Sequence, residues 1–229
     1  MSTACKIAVV GSINADLTVY TPVSPTGGQT VVGSRLVIGP GGKGANQAIA
    51  ALRAGGEVVF LGRIGQDFLS ETLLAFYREE GLSTAHILPT EGLGTGTATI
   101  IVEESTGENR IVVVAGANAA LSPADVYASE EALSDCGALL CQNEIPEATV
   151  QAVMALSARR QIPLIYNPAP FRPMQADLLR NAAFITPNET EAIGCTGFPV
   201  SSEREALAAG RKLLALGAKN AVITLGSRG

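Results

Sequence analysis

The sequence contains no tryptophan, and aromatic residues make up only 4% of its 229 positions. A core therefore has to be packed from Ala, Val, Ile and Leu. There is one histidine, His86. A Ser–His or Cys–His catalytic pair would have to use it, but "TAHILP" reads as a short surface strand and no G-x-S-x-G turn is present. Histidine-based hydrolysis and His-rich metal sites are set aside. The four cysteines, Cys5, Cys136, Cys141 and Cys195, include no C-x-x-C pair. They read as buried free thiols of a reducing compartment and not as a zinc site. No Lys/Arg block offsets the net charge of −5, which argues against a nucleic-acid partner. No apolar run is long enough to cross a bilayer, and "MSTACKIAVVGS" lacks the features of a secretion leader. The expectation is a cytoplasmic protein without a membrane partner.

Apolar residues make up 47% of the chain, so it is globular. Continuous apolar runs mark strands buried on both faces of a parallel sheet: "KIAVVG" (6–11), "EVVFLG" (57–62), "GALLCQ" (137–142), "IPLIYN" (162–167), "AAFIT" (182–186) and "NAVITLG" (220–226). Helical patterns lie between them. Their predicted inner faces are Ala45, Ile49 and Leu52; Phe68, Leu69, Leu73 and Phe76; Val150, Val153, Met154 and Ser157; and Leu207, Leu213, Leu214 and Leu216. Strand and helix in alternation predict a three-layer α/β/α domain.

Two regions break the alternation. "LTVYT" (17–21) and "QTVVGSRLVI" (29–38) are strands with no helix between them, and residues 96–116 form a hairpin turning at "ESTGEN". These strands predict a second, small antiparallel sheet beside the main layer, free to cover a ligand or to pair with another subunit.

The stretch "GPGGKGANQAIAALRAGG" (39–56) is a glycine-rich turn entering a helix. As a Walker A loop it fails, because Gly44 follows Lys43 where Ser or Thr should hold Mg²⁺ and Val37 occupies the place of the first glycine. Gly39, Gly41 and Gly44 match the dinucleotide fingerprint literally. However, the preceding strand belongs to the small sheet, and Arg63 stands near the position of the expected acid. The reading that remains is a backbone cradle for a polyhydroxy ligand, with free N–H groups at a helix start and Asn46 able to donate and accept. Asn14 and Asp16 in "GSINAD" follow the first buried strand at its carboxyl end, where open α/β sheets bind ligands. Taken alone, that cluster reads better as a turn using Asn and Asp for its own backbone bonds.

Taken in order, "VVGSINADLTV", "GGKGANQAIAA", "GRIGQDFLSETL", "GTGTATIIV", "AGANAALS", "NPAP", "TPNETEA" and "TLGSRG" resemble the ribokinase branch of the PfkB-type carbohydrate kinases along the whole chain. The resemblance implies a ribokinase-like α/β/α domain with a mostly parallel central sheet. A small antiparallel β-sheet lid would be drawn from about 17–38 and 96–116. It implies transfer of the γ-phosphoryl group of ATP to a sugar, with D-ribose at its 5-hydroxyl favoured by the run of "GSINAD" with "GGKGANQA". Fructose, ketodeoxygluconate and adenosine are the alternatives.

By that resemblance Asn14, Asp16, Gly42, Lys43, Gly44, Asn46 and Glu144 hold the sugar. Asn188 faces nucleotide phosphate, and Glu191 acts on Mg²⁺ through water. Thr224, Leu225, Gly226, Ser227, Arg228 and Gly229 frame ATP. Without the resemblance, "PNETEA" reads as an ordinary capped, acidic helix start. The family's Gly-Ala-Gly-Asp turn, which carries the catalytic base, does not occur within residues 1–229. It is expected beyond Gly229, together with the K⁺ loop, so these residues form a single domain without its C-terminal catalytic part. A catalytically silent sugar-binding fragment and an NAD-type oxidoreductase are the competing classes. The partly apolar lid strands predict a two-fold homodimer joined through the lids.

Overall fold

The computed structural model describes residues 5–173 and 176–229. The first four residues, where the N-terminal stretch read above begins, lie outside them. The central sheet holds β1 (Lys6–Val10), β4 (Glu57–Ile64), β5 (Ile87–Pro89), β8 (Ala138–Cys141), β9 (Leu164–Tyr166) and β10 (Ala182–Ile185). They run in the order β10-β9-β8-β1-β4-β5, with every pair parallel. The smaller sheet holds β2 (Asn14–Thr21), β3 (Arg35–Gly41), β6 (Gly96–Glu103) and β7 (Asn109–Val114). The helices are α1 (Lys43–Arg53), α2 (Phe68–Glu79), α3 (Pro123–Ala128), α4 (Glu130–Ser134), α5 (Glu147–Arg160), α6 (Glu189–Thr196) and α7 (Glu203–Ala215).

Strand alternation divides the core. Ala8 and Val10 of β1 join Leu139 and Cys141 of β8 in a cluster closed by Val126, Leu133, Val150, Val153 and Met154. Val9, between them in sequence, faces the other way, toward Ala45, Ala48, Ile49, Phe60, Leu69, Leu73 and Tyr77. Successive side chains of a strand point to opposite faces, so one apolar run supplies both cores and the expected three layers result. A third cluster, built from Ala192, Val200, Ala206 and Ala209, joins α6 to α7.

Several expectations need correction. The small sheet is mixed: β3 and β7 flank it antiparallel, but its central pair, β2 and β6, is parallel. Both central strands leave the main layer from the same end and so run the same way. Residues 29–34 are not strand, and β3 instead runs on through Gly41. The stretch 220–226 follows β10 but pairs with its line only through isolated bridges, Ile185–Ala221 and Asn188–Thr224. With Val222 half exposed, it lacks the two-sided burial its apolar run suggested.

Phe68 is 67% exposed. It is the first residue of α2, and the inner face passes through Leu69, Leu73 and Tyr77 at four-residue spacing. In α7 the buried face is Ala206, Ala209 and Leu213, which leaves Leu207 and Leu214 outside. Small side chains let the two helices approach, a pattern that hydrophobicity alone does not mark. Cys136 and Cys141 are buried as expected, whereas Cys195 is only partly covered and Cys5, just ahead of β1, is exposed.

Candidate functional site

The sheet order reverses at β1, whose neighbours β4 and β8 follow in opposite directions. Loops leaving β1 and β8 diverge at such a point and open a crevice at the carboxyl ends of the strands. Ser12 and Glu144 meet there. The Ser12 hydroxyl donates to Glu144 Oε2 at 2.6 Å, and the Lys43 backbone N–H donates to the same oxygen at 2.8 Å. Gly44 N–H donates to Ser12 Oγ at 3.2 Å. Gly42, which starts α1, has no side chain to cap it, so a carboxylate arriving from the β8–α5 loop satisfies the first free donor. Negative charge is favoured at that end of a helix. Gly42 itself has φ 88°, and a Cβ there would lie 2.8 Å from the Asn14 nitrogen. The glycines of the turn thus serve close main-chain packing as well as ligand access.

Asn14 and Asp16 start β2 directly above this corner. Asp16 pairs with Gly39 of β3, and its carboxylate lies over Gly41, where a Cβ would meet Oδ1 at 2.0 Å. Among the described residues it has no hydrogen-bond partner. Burial, and after it the charge of Glu144, pushes its carboxyl above the ordinary value. A half-buried carboxylate without a partner is costly in isolation and suited to gripping hydroxyls. Asn14 is buried, and its Oδ1 accepts from Asn118 Nδ2 at 2.8 Å.

Two residues that sequence reasoning did not assign build the base of the small sheet. Asp67 lies in the "GRIGQDFLSETL" stretch. It caps α2 through the Ser70 N–H and also accepts from the Thr95 N–H and hydroxyl, each at 2.7 Å. Burial raises its carboxyl, but the N–H and hydroxyl donors of Thr95 and the N–H groups of Ser70 and Leu69 outweigh that and hold it below the usual value. Asn118 lies in "AGANAALS", whose one buried polar residue in an otherwise small, apolar run is the signal that could have found it.

On the far side of the crevice, Asn188 and Glu191 form a reciprocal capping box. Asn188 Oδ1 accepts from Glu191 N at 2.8 Å, and Glu191 Oε2 accepts from Asn188 N at 2.9 Å. The capped acidic helix start is therefore present, and the pair also faces a cleft. That cleft, about 340 Å³, is lined by Lys43, Gln47, Asn167, Thr186, Asn188, Glu191 and Thr224. It joins the start of α1 to the start of α6 in one wall.

The remaining candidates are placed elsewhere. Asn46 is exposed and opens onto a separate groove with Pro40, Ile49, Arg53 and Phe76. Of residues 224–229 only Thr224 lines the cleft. Leu225 packs against the α6–α7 core. Residues Gly226–Arg228 form a short 3-10 turn, in which Ser227 is exposed. Arg228 pairs with Glu189 at 2.6 Å and donates to Ser201 O at 2.9 Å.

The model of the pfkB family carbohydrate kinases matches residues 4–229. A ribokinase of Bacillus subtilis is 40% identical over 203 residues, covering 89% of this chain and 68% of the relative. A deoxyribokinase of Salmonella typhi is 34% identical, covering 97% of this chain and 73% of its own length. Among solved structures, that of an Arabidopsis thaliana ribokinase complexed with ribose and ATP superposes with a TM-score of 0.90 at 30% identity, over 99% of this chain and 74% of its own. The cradle at β1 and α1, the capped α6 across the cleft and these similarities agree: the chain belongs to the pfkB family of carbohydrate kinases.

Proposed function

We propose that this chain carries the sugar-binding face and part of the nucleotide-binding face of an ATP-dependent kinase that phosphorylates D-ribose at its 5-hydroxyl. The observation that carries the reading is the succession from the unpartnered Asp16 carboxylate, through Glu144, which accepts from the Lys43 N–H, to the cleft that Lys43 shares with Asn188 and Glu191. Asp16, Asn14 and the free Glu144 oxygen would hold sugar hydroxyls in orientation. Lys43 lies between that corner and the cleft, where its charge suits a phosphate. Buried polar groups of this kind reject analogues that leave them unpaired.

ATP would extend along the cleft, with Asn188 toward phosphate and Thr224 at the rim. Glu191 offers one carboxylate oxygen outside its capping bond. One such oxygen would suit Mg²⁺, which keeps much of its water and is shared with substrate phosphates. Bound there, Mg²⁺ would neutralise phosphate charge. The K⁺ requirement implied by the resemblance involves no residue of this site. Asn46 and residues 225–229 stay assigned to sugar and nucleotide by resemblance alone.

The lid is proposed to pair with the lid of a second copy. Leu36, Val37, Ile38, Ile111, Val112, Val113 and Val114 are each at least 41% exposed; Leu36 and Ile38 of β3 share one face of the sheet with Val112 and Val114 of β7, apolar surface that a partner would cover. Four unpaired thiols suit a reducing, cytoplasmic setting, and no helix among the described residues is long and apolar enough to cross a membrane.

The second reading is 2-deoxy-D-ribose, favoured by the deoxyribokinase relatives. Calorimetric titration of the purified protein with each sugar, with and without ATP, tests both. Ribose binding that Asp16→Ala abolishes supports the first, and tighter binding of the deoxy sugar supports the second. Binding of neither, or of NAD instead, would overturn the proposal.

A further inference from the structure

We infer that Asn118 is a positioning residue that fixes the direction of the Asn14 amide, so that Asn14 presents N–H donors, and not its carbonyl, to the sugar. The inference rests on the proposed sugar site only for the identity of the ligand. The direction follows from donor and acceptor counting that starts at the backbone. The Ile13 N–H can only donate, and it lies 2.8 Å from one terminal atom of Asn118, which must therefore be Oδ1. The other terminal atom is then Nδ2. It lies 3.0 Å from Ile13 O and 2.8 Å from a terminal atom of Asn14. Nδ2 carries two hydrogens and no lone pair to offer, so that atom of Asn14 has to be its Oδ1. The Asn14 Nδ2 is left bonded to no described residue.

The surroundings keep the pair from reversing. Asn118 is 2% exposed, so water cannot stand in for a partner it loses. Gly96, paired with Asn14 at the start of β6, passes directly over the bond. A Cβ on Gly96 would lie 2.3 Å from both Asn118 Nδ2 and Asn14 Oδ1. Turning the Asn14 amide over would set two N–H groups against each other, and turning Asn118 over would set its N–H groups against the Ile13 N–H. Each costs buried hydrogen bonds with no replacement. The group received by Asn14 must therefore offer an acceptor, as a hydroxyl or ring oxygen does. At the proposed sugar site this donor would complement two acceptors, the carboxylates of Asp16 and Glu144.

Side-chain amide hydrogen exchange in the ligand-free protein tests the direction without any sugar. Both Asn118 amide protons should exchange slowly and the Asn14 amide protons fast; slow exchange at Asn14 with fast exchange at Asn118 would overturn the assignment. A double-mutant cycle in D-ribose affinity tests the consequence. Asn118→Asp, which keeps the acceptor for Ile13 but removes the donors, should weaken binding about tenfold, as losing one oriented hydrogen bond does. In an Asn14→Ala background the same substitution should change affinity by less than about twofold, because Asn118 acts through Asn14. Additive losses would show a merely structural role and sink the inference. Absence of ribose binding by the unaltered protein would defeat the proposed function, while the exchange measurement would still decide this one.

Discussion

Asp16→Asn should make the protein more stable at neutral pH while it destroys sugar binding. The amide keeps the shape and removes the charge. In the folded chain the Asp16 carboxyl is raised, by burial first and by the Glu144 charge second. The folded state therefore takes up the proton more readily than the unfolded one. The ionised group lowers stability at every pH above its folded value, and this penalty vanishes as the pH falls below the ordinary carboxylate range. Relief of such a functional group is commonly worth about 0.5–2 kcal/mol. At about 2–4 °C per kcal/mol for a chain of this size, Tm should rise by roughly 1–8 °C. Circular dichroism melts at pH 7.5 and at roughly pH 3.5 should show the gain at the first and its loss at the second. Ribose affinity should fall about 100-fold for lack of the charge-assisted contact. An Asn variant no more stable at pH 7.5, or equally favoured at both pH values, would show that the carboxylate is not held at a cost, and the argument from its missing partner would fall with it.

Three further outcomes are expected. Asp125 takes a bidentate contact from Arg63 at 2.9 and 2.6 Å and accepts from the N–H and hydroxyl of Ser122, the residue that caps α3; burial raises its carboxyl, but Arg63 and Ser122 outweigh this and hold it low. Asp125→Asn should cost about 1–3 kcal/mol at pH 7, and the gap in urea midpoints should close as the pH falls through the depressed value; a pH-independent gap would refute the ionic account. Light scattering should give a two-chain mass at micromolar concentration, and the double change Val112→Lys with Val113→Lys should give one chain; a single-chain mass for the unaltered protein would remove the lid interface. The 229-residue chain should release no ADP with ribose and ATP if, as the resemblance implies, the base and the amide donors for the transferring group belong to a Gly-Ala-Gly-Asp turn, which its sequence does not contain; their loss would cost about 10²–10⁴ and 10²–10³ in rate. Turnover comparable to that of a version carrying the Gly-Ala-Gly-Asp turn would place the catalytic group within this chain.

The central sheet was legible because "KIAVVG" and its counterparts are apolar on both faces, which few other settings require. The helix faces were legible where large side chains repeat, as in α5, and misread where alanines make the contact, as in α7. The parallel pairing of β2 with β6 was not legible, since both flanking pairs are antiparallel and strand direction leaves no mark on composition. In the site, Asp16 and Asn14 stood out by their place after β1. The Glu144 contacts with Ser12 and Lys43 span 132 and 101 residues, and no local pattern encodes such a meeting. The capping role of Asn188 and Glu191 was visible in "NETE" as it stands, whereas their facing Lys43 depends on the whole sheet order.

The mixed pairing of the small sheet places all four of its crossings to the main layer at one end. β2 starts at Asn14 and β6 at Gly96, while β3 finishes at Gly41 and β7 at Val114, and these four residues stand at or beside one row of the sheet. The other end, with residues 22–34 and the turn after Glu103, has no covalent tie to the body. The sheet is therefore a cantilever. At roughly 3.3 Å per residue, the eight residues of β2 reach about 26 Å, so a 10° rotation at the root would sweep the tip by about 4–5 Å without breaking a bond inside the sheet. Asn14, Gly41 and Gly42 lie at the pivot. A sugar bound at the proposed site would hold the fulcrum, and through it the angle of the whole plate.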